Sequence, residues 1–333
     1  MKPPALISLH DLYYLAVAAL IVMVERLPRP LLREGAARCA GLAAYALSTQ
    51  KRRRIEANLS RWLPASAGAA ERRRIVRGVF VETWREFFSW AQAGDAGPQV
   101  EVRGLEHVRR ALAAGRGAIL WESNGFGQRL LATKILHANG IAYHQMHGPR
   151  NVGGFLLRRP ASRFALAVVR PFFDRREERV AAGLIYLPHS QSLSFARDMH
   201  AVLERNGVIC VSADGHVGRR FVTVDLLGEP KAFATGAINL SRLSGAPLLP
   251  LFCCRQSGGR TVLTVEPPLQ VAAGPATEAT LANVAGQYAQ LLGDYVRRHP
   301  EQYRNWHLLE AVLPDVEAGS EPESAREATW TTV

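Results

Sequence analysis

The chain is poor in the residues that announce common chemistries. Its four cysteines, Cys39, Cys210, Cys253 and Cys254, include no Cys-x2-Cys spacing. This argues against a cysteine metal cluster and a disulfide framework, and predicts reduced, buried thiols in a cytoplasm-facing protein. No metal and no bound cofactor is expected. A Gly-x-Ser-x-Gly elbow is absent, which argues against the usual soluble serine hydrolase, and the chain contains no internal repeat. Lysine is scarce: of 41 basic residues only Lys2, Lys51, Lys134 and Lys231 are lysines. The rest are arginines. Arginine suits bidentate phosphate binding, but such a skew is first of all a mark of nucleotide bias in the source genome.

What is present is a large apolar fraction and a strong positive charge. Of 333 residues, 48% are hydrophobic, enough for a sizeable core in one large domain or two modest ones. The net charge of +12 points to anionic partners. Nucleic acid is excluded, because the basic residues are scattered over predicted helices with no aromatic-interleaved motif. Leu12 to Val24 is uncharged and almost wholly apolar. At about 1.5 Å per residue it covers roughly 20 Å, short of a ~30 Å bilayer core. No small-residue cleavage site follows it, so it reads as an uncleaved anchor or a deeply seated interfacial helix (about residues 5–26), or as an ordinary core helix. The Lys51-Arg-Arg-Arg54 cluster suits an anionic membrane surface or a solvated helix face.

Residues 1–95 read as helical throughout and membrane-facing. From residue 96 to 311, strand-like runs alternate with helical periodicity, and 312–333 is a polar, acidic tail expected to be disordered. The alternation predicts an α/β fold with a mostly parallel central sheet flanked by helices. The chain is organised around Gly115–Arg129. There an apolar strand, Ala118 to Trp121, ends abruptly in polar residues and glycines before a helix from Arg129 to His137. Ligands bind at the carboxyl ends of strands in open α/β sheets. Phe221–Leu227 reads as a further strand or an extended loop.

Several segments in order resemble the late acyltransferases of lipid A synthesis, within the glycerolipid and lysophospholipid acyltransferase superfamily. They are Arg54-Ile-Glu-Ala-Asn58-Leu, Gly115-Arg-Gly-Ala-Ile-Leu, Gly207-Val-Ile-Cys-Val-Ser-Ala-Asp214, Leu227-Gly-Glu-Pro-Lys-Ala-Phe-Ala-Thr235-Gly and Arg298-His-Pro-Glu-Gln-Tyr-Arg-Asn-Trp306-His307. The resemblance covers roughly residues 10 to 311. It implies acyl transfer from acyl carrier protein or a coenzyme A thioester to a hydroxyl of a lipid acceptor, on the cytoplasmic face of a bacterial inner membrane. It also implies a dyad, His then four residues then Glu or Asp, in which the imidazole deprotonates the hydroxyl and the carboxylate orients it. Counting from Gly115, the His falls on Asn124 and the acid on Arg129. Asn is not a base near neutral pH, and a permanent cation cannot orient an imidazolium.

Three accounts follow. In one the site has moved: His147 or His144 (His216 more remotely) becomes the base, while Asn124 and Arg129 bind an oxyanion or phosphate. In the second the chain is an inactive homologue that binds or presents a lipid. In the third only the fold is shared, and Glu122, two residues before Asn124 and on its side of an extended strand, acts as base. Asp214 matches the resembled family's acid at a later strand end. Arg150, Asn151, Arg219, Arg220, Lys231 and Thr235 are candidate substrate contacts. Lys231 and Thr235 precede a helix start, where phosphate is favoured and where Thr235 also suits a simple N-cap.

Overall fold

Four helices precede the first strand in the computed structural model, which describes residues 6–27, 30–63, 68–91, 100–148, 162–187, 194–214 and 220–311. They are α1 (Leu9–Glu25), α2 (Pro30–Leu47), α3 (Thr49–Trp62) and α4 (Ala69–Ser89). The chain then alternates through β1 (Val100–Arg103), α5 (Leu105–Ala113), β2 (Ala118–Glu122), α6 (Arg129–Ala138) and β3 (Tyr143–His147). A π-helical turn at Ala165–Val169 runs into α7 (Arg170–Glu177), followed by β4 (Gly183–Tyr186), α8 (Ser194–Glu204) and β5 (Val208–Ser212). Then come β6 (Phe221–Leu226), β7 (Glu229–Ala234), α9 (Gly236–Ser244), β8 (Leu248–Arg255), β9 (Thr261–Val265) and α10 (Glu278–Arg298). Two short 3-10 turns, Pro300–Gln302 and Arg304–Ala311, complete the described chain.

Seven strands form one sheet in the order β1-β9-β8-β2-β5-β3-β4, in which only β8 and β9 pair antiparallel. The expected mostly parallel sheet is therefore present. β2 lies between β5 and β8 and is buried from end to end, which is why it reads as a continuous apolar run and not as an alternation. Its side chains still divide between faces. Ile119 and Trp121 join the core under α8, α9 and α10, while Ala118 and Leu120 join the core under α5 and α6. Ile55, Leu59 and Trp62 of α3 and Ile75, Val76 and Val79 of α4 are buried in the first of these cores.

Phe221–Leu226 is a strand, paired with Glu229–Ala234 in a separate antiparallel hairpin. Its partner is hard to read from sequence because Pro230 interrupts it. Leu227 and Gly228 both take positive φ, 60° and 87°, the two-residue turn geometry whose twist matches the strands.

The first helix differs from expectation in its polar end. Asp11 is 3% exposed. It accepts hydrogen bonds from the Ser8 N–H and the Ser162 hydroxyl, both at 2.6 Å, so a capping box and a tertiary contact satisfy it inside the protein. Val17, Ile21 and Val24 of α1 are buried against Phe88, Val169 and Phe173. Among the described residues no helix is long and apolar enough to cross a membrane.

Candidate active site

The carboxyl end of β2 opens into the Ser123–Gln128 turn, and neighbouring elements tie this turn down at every step. The Ser123 hydroxyl donates to Asp214 Oδ2 at 2.7 Å, and the Asn124 N–H donates to Asp214 Oδ1 at 2.6 Å. Asp214 follows β5, the parallel neighbour of β2, so sheet register alone brings the two strand ends together. The Gly125 and Phe126 N–H groups donate back to the Ser123 hydroxyl at 3.2 and 3.1 Å. The Gly127 N–H donates to Gln302 O and the Gln128 N–H to Cys253 O. Gly127 has φ 69°, and a Cβ there would stand 2.1 Å from Cys253 O, so the position requires glycine. Every main-chain donor from 124 to 128 is thus used within the protein, and none is left to form an oxyanion hole.

Arg129 opens α6 directly after this turn. Its guanidinium donates to Glu177 Oε1 at 2.6 Å and to Oε2 at 3.4 Å. Glu177, at the end of α7, is fully buried, and His147 Nε2 lies 3.2 Å from its Oε2. Burial alone would raise the Glu177 pKa, but the Arg129 charge, with the His147 imidazole beside it, prevails and holds the carboxyl at about 2. Burial likewise works against the Arg129 charge, yet Glu177 and Glu122 outweigh it and raise its pKa. Glu122 is 3% exposed and accepts from Gln145 Nε2 at 3.2 Å. For Glu122 burial wins: despite Arg129, its pKa rises to about 7. Glu177 thus stands within ion-pair distance of the His147 imidazole, although Nε2 makes no aligned hydrogen bond, an approach that no spacing motif records, and Arg129 pairs with the same carboxylate.

The remaining candidates fall in different places. His144 lies on β3 beside Gly183 and faces away from Gln145 and His147, because strand side chains alternate. Its pKa is lowered by burial, with the Val208 backbone opposing. Lys231 is buried; burial lowers its pKa, and the Asp214 charge opposes that shift. Thr235 does not cap α9 with its side chain: its hydroxyl donates at 3.2 Å to the carbonyl of Arg220, which is itself exposed. Arg150, Asn151, His216 and Arg219 lie outside the described residues, as does the 312–333 tail. Tyr303 faces Asp214 and has its pKa raised well above the usual value, mainly by burial and then by that carboxylate.

Sequence reasoning missed Glu177, Gln145 and Tyr303. A Gln within a strand and a Glu within an arginine-rich helix carry no local signal, and Tyr303 was legible only as part of the C-terminal resemblance. Among the described residues no group of three or more His, Cys, Asp or Glu is placed to hold a metal ion.

Comparison with known proteins gives the family. The family described as bacterial lipid A biosynthesis acyltransferase matches residues 4–127 and 173–309. The interval between the two matched segments carries Arg129 and His147. A phosphatidylinositol mannoside acyltransferase of Mycolicibacterium smegmatis is 28% identical over 234 residues, 69% of this chain and 68% of that protein. A protein of the same description from Mycobacterium tuberculosis is 30% identical over 210 residues, 63% of this chain and 58% of that protein. The alignment with the second relative thus spans less than two thirds of its length. With the family's match extending over both the helical region and most of the α/β sheet, the chain belongs to the bacterial lipid A biosynthesis acyltransferase family.

Proposed function

We propose that the chain transfers a fatty acyl group from a thioester donor, acyl carrier protein or coenzyme A, to a hydroxyl of a glycolipid or phospholipid, with His147 as general base. The observation that carries this is the 3.2 Å approach of His147 Nε2 to the buried Glu177 carboxylate. With Nε2 turned to Glu177, Nδ1 is the nitrogen left to meet a hydroxyl. It takes the acceptor's proton as that oxygen attacks the thioester carbonyl. When the C–S bond breaks, the imidazolium returns the proton to the leaving sulfur. Glu177 stabilises the imidazolium in between, as the acid of a hydrolase triad does. Arg129 acts through Glu177 and not on substrate. The Asn124 side chain, half-buried at the turn, serves as a neutral hydrogen-bond donor to the carbonyl oxygen.

The acceptor side is read as a lipid at an anionic membrane surface, on the cytoplasmic face of the inner membrane. Exposed Leu12, Leu15 and Met23 on α1, together with Leu166 and Val168 on the adjoining π-helical turn, support that reading.

A homologue that binds lipid without turnover is the second reading. The observation favouring it is that the turn's main-chain donors are all spent within the protein. Membrane preparations incubated with labelled acyl donor and a panel of lipid acceptors decide between them. Transfer by wild type, reduced about 100-fold or more in His147→Ala and in Glu177→Gln, is the expected outcome. Transfer that survives His147→Ala removes His147 as the base, and no transfer by wild type to any acceptor favours the second reading.

A further inference from the structure

We infer that Lys51 and Arg304, with Arg52 and Arg77 beside them, form a phosphate-binding subsite at the rim of the Ser123–Gln128 turn; the inference rests on the acyl-transfer reading of that turn. Arg304 belongs to the site through its backbone, since its N–H donates to Gly125 O at 2.6 Å. Its side-chain Nε is buried and has no hydrogen-bond partner. α3 packs against the same 3-10 turn, where Asn58 Nδ2 donates to Trp306 O at 2.6 Å, and Lys51 at the start of α3 lies within electrostatic reach of Arg304. The Lys51 ammonium stands 5.2 Å from the centre of the Phe80 ring. Arg52 and Arg77 lie 4.9 and 5.6 Å from the centre of Tyr45, which meets Phe80 edge to face.

Among the described residues, none of these four cations is paired with a carboxylate. Glu301 packs against Gly78 of α4, next to Arg77, and makes no ion pair with any of the four cations; Arg74 and His299 feel its charge. The contrast with Arg85, Arg129 and Arg255, each paired with glutamate, is direct. Burial first, and then repulsion from Arg304, lower the Lys51 pKa to about 8. Like charges held together without a paired acid are unfavourable until an anion enters. A phosphate matches the set, because an arginine fork and a lysine ammonium both donate to its oxygens. Beside an acyl-transfer site, that phosphate belongs either to the donor's pantetheine arm or to an anionic lipid headgroup.

The test is binding, measured by titration with coenzyme A and by flotation with vesicles of phosphatidylglycerol or phosphatidylcholine. Lys51→Met and Arg304→Gln are each expected to weaken one of these probes about tenfold, consistent with loss of one charge-assisted contact. Weakened coenzyme A binding assigns the phosphate to the donor. Weakened phosphatidylglycerol binding, with phosphatidylcholine unaffected, assigns it to a headgroup. Wild-type affinity for both probes in both variants overturns the subsite. Arg52→Gln/Arg77→Gln, which alters exposed or half-buried side chains, supplies the same comparison should either first variant fail to fold. His147→Ala is expected to bind both probes as wild type does. Wild-type protein that binds a probe but transfers no acyl group to any acceptor therefore fails the catalytic proposal and leaves the subsite standing.

Discussion

Glu122 and Glu177 both sit buried around Arg129, and their pKa values move in opposite directions. Glu177 takes the direct guanidinium contact and the approach of the imidazole, so it stays charged; Glu122 has only neutral donors, the Cys210 thiol and the Gln145 amide, and the more distant charge, so it favours the proton. The consequences for stability have opposite signs. The Glu177 pKa is lowered to about 2, so its contribution is full above about 4.5 and is lost as pH falls toward 2. The Glu122 pKa is raised to about 7, so its contribution is full below about 4.5 and is lost as pH rises through 7. Glu122→Gln keeps an oxygen to accept from Gln145 and removes the titration. It is expected to gain stability over wild type between pH 5 and pH 8, on the order of 3 kcal/mol at the upper end. Urea unfolding at the two pH values measures this. A constant difference between the two proteins across the range would refute the buried titration.

At the scale of elements, the site is a meeting of strand ends and helix ends. β2 delivers the turn, β5 delivers Asp214, β3 delivers His147, α6 begins with Arg129 and α7 ends with Glu177. β3 is two strands from β2, about 10 Å away at ordinary strand spacing. The Arg129–Glu177–His147 chain of contacts crosses that gap. The turn depends on Gly127, and two alanine substitutions separate its causes. Gly115 and Gly127 share φ 69°, but a Cβ at Gly115 meets nothing within 4 Å, whereas at Gly127 it meets Cys253 O. Gly115→Ala is expected to cost about 1–2 kcal/mol, the left-handed penalty alone. Gly127→Ala is expected to cost clearly more and to lower acyl transfer as well. Chemical denaturation of the pair checks the order, and equal losses would show that the close approach to Cys253 is unimportant. The hairpin shows where element reading stops: Phe221–Leu226 has strand composition, but Pro230 hides its partner, and only pairing identifies it.

At the scale of the molecule, the apolar face of α1 raises the question of its surroundings. One side of α1 packs into the protein through Val17, Ile21 and Val24, while Leu12, Leu15 and Met23 are exposed on another. As a surface anchor, this arrangement predicts that Leu12→Ser/Leu15→Ser/Met23→Ser lowers vesicle flotation several-fold while thermal stability stays near that of wild type, since these side chains are not in the core. Unchanged flotation would place membrane contact elsewhere. A second tie holds the helical region to the sheet: Glu34 of α2 binds Arg85 of α4 and, at 3.0 Å, Arg255 of β8. Neither that tie nor the Asp11–Ser162 contact is visible in sequence, because their partners are far apart in the chain. The sequence by itself determined the strand–helix alternation and the turn at Ser123–Gln128, from local periodicity and glycine placement. The resemblance to the acyltransferase family placed the expected dyad on Asn124 and Arg129, and the basicity of those two side chains shows that neither can act in it. Only the tertiary structure decided that Arg129 pairs with Glu177, that Glu177 faces His147, and that Lys51 lies within electrostatic reach of Arg304. Each of those is an electrostatic contact between residues distant in sequence, and only the folded chain brings them within reach.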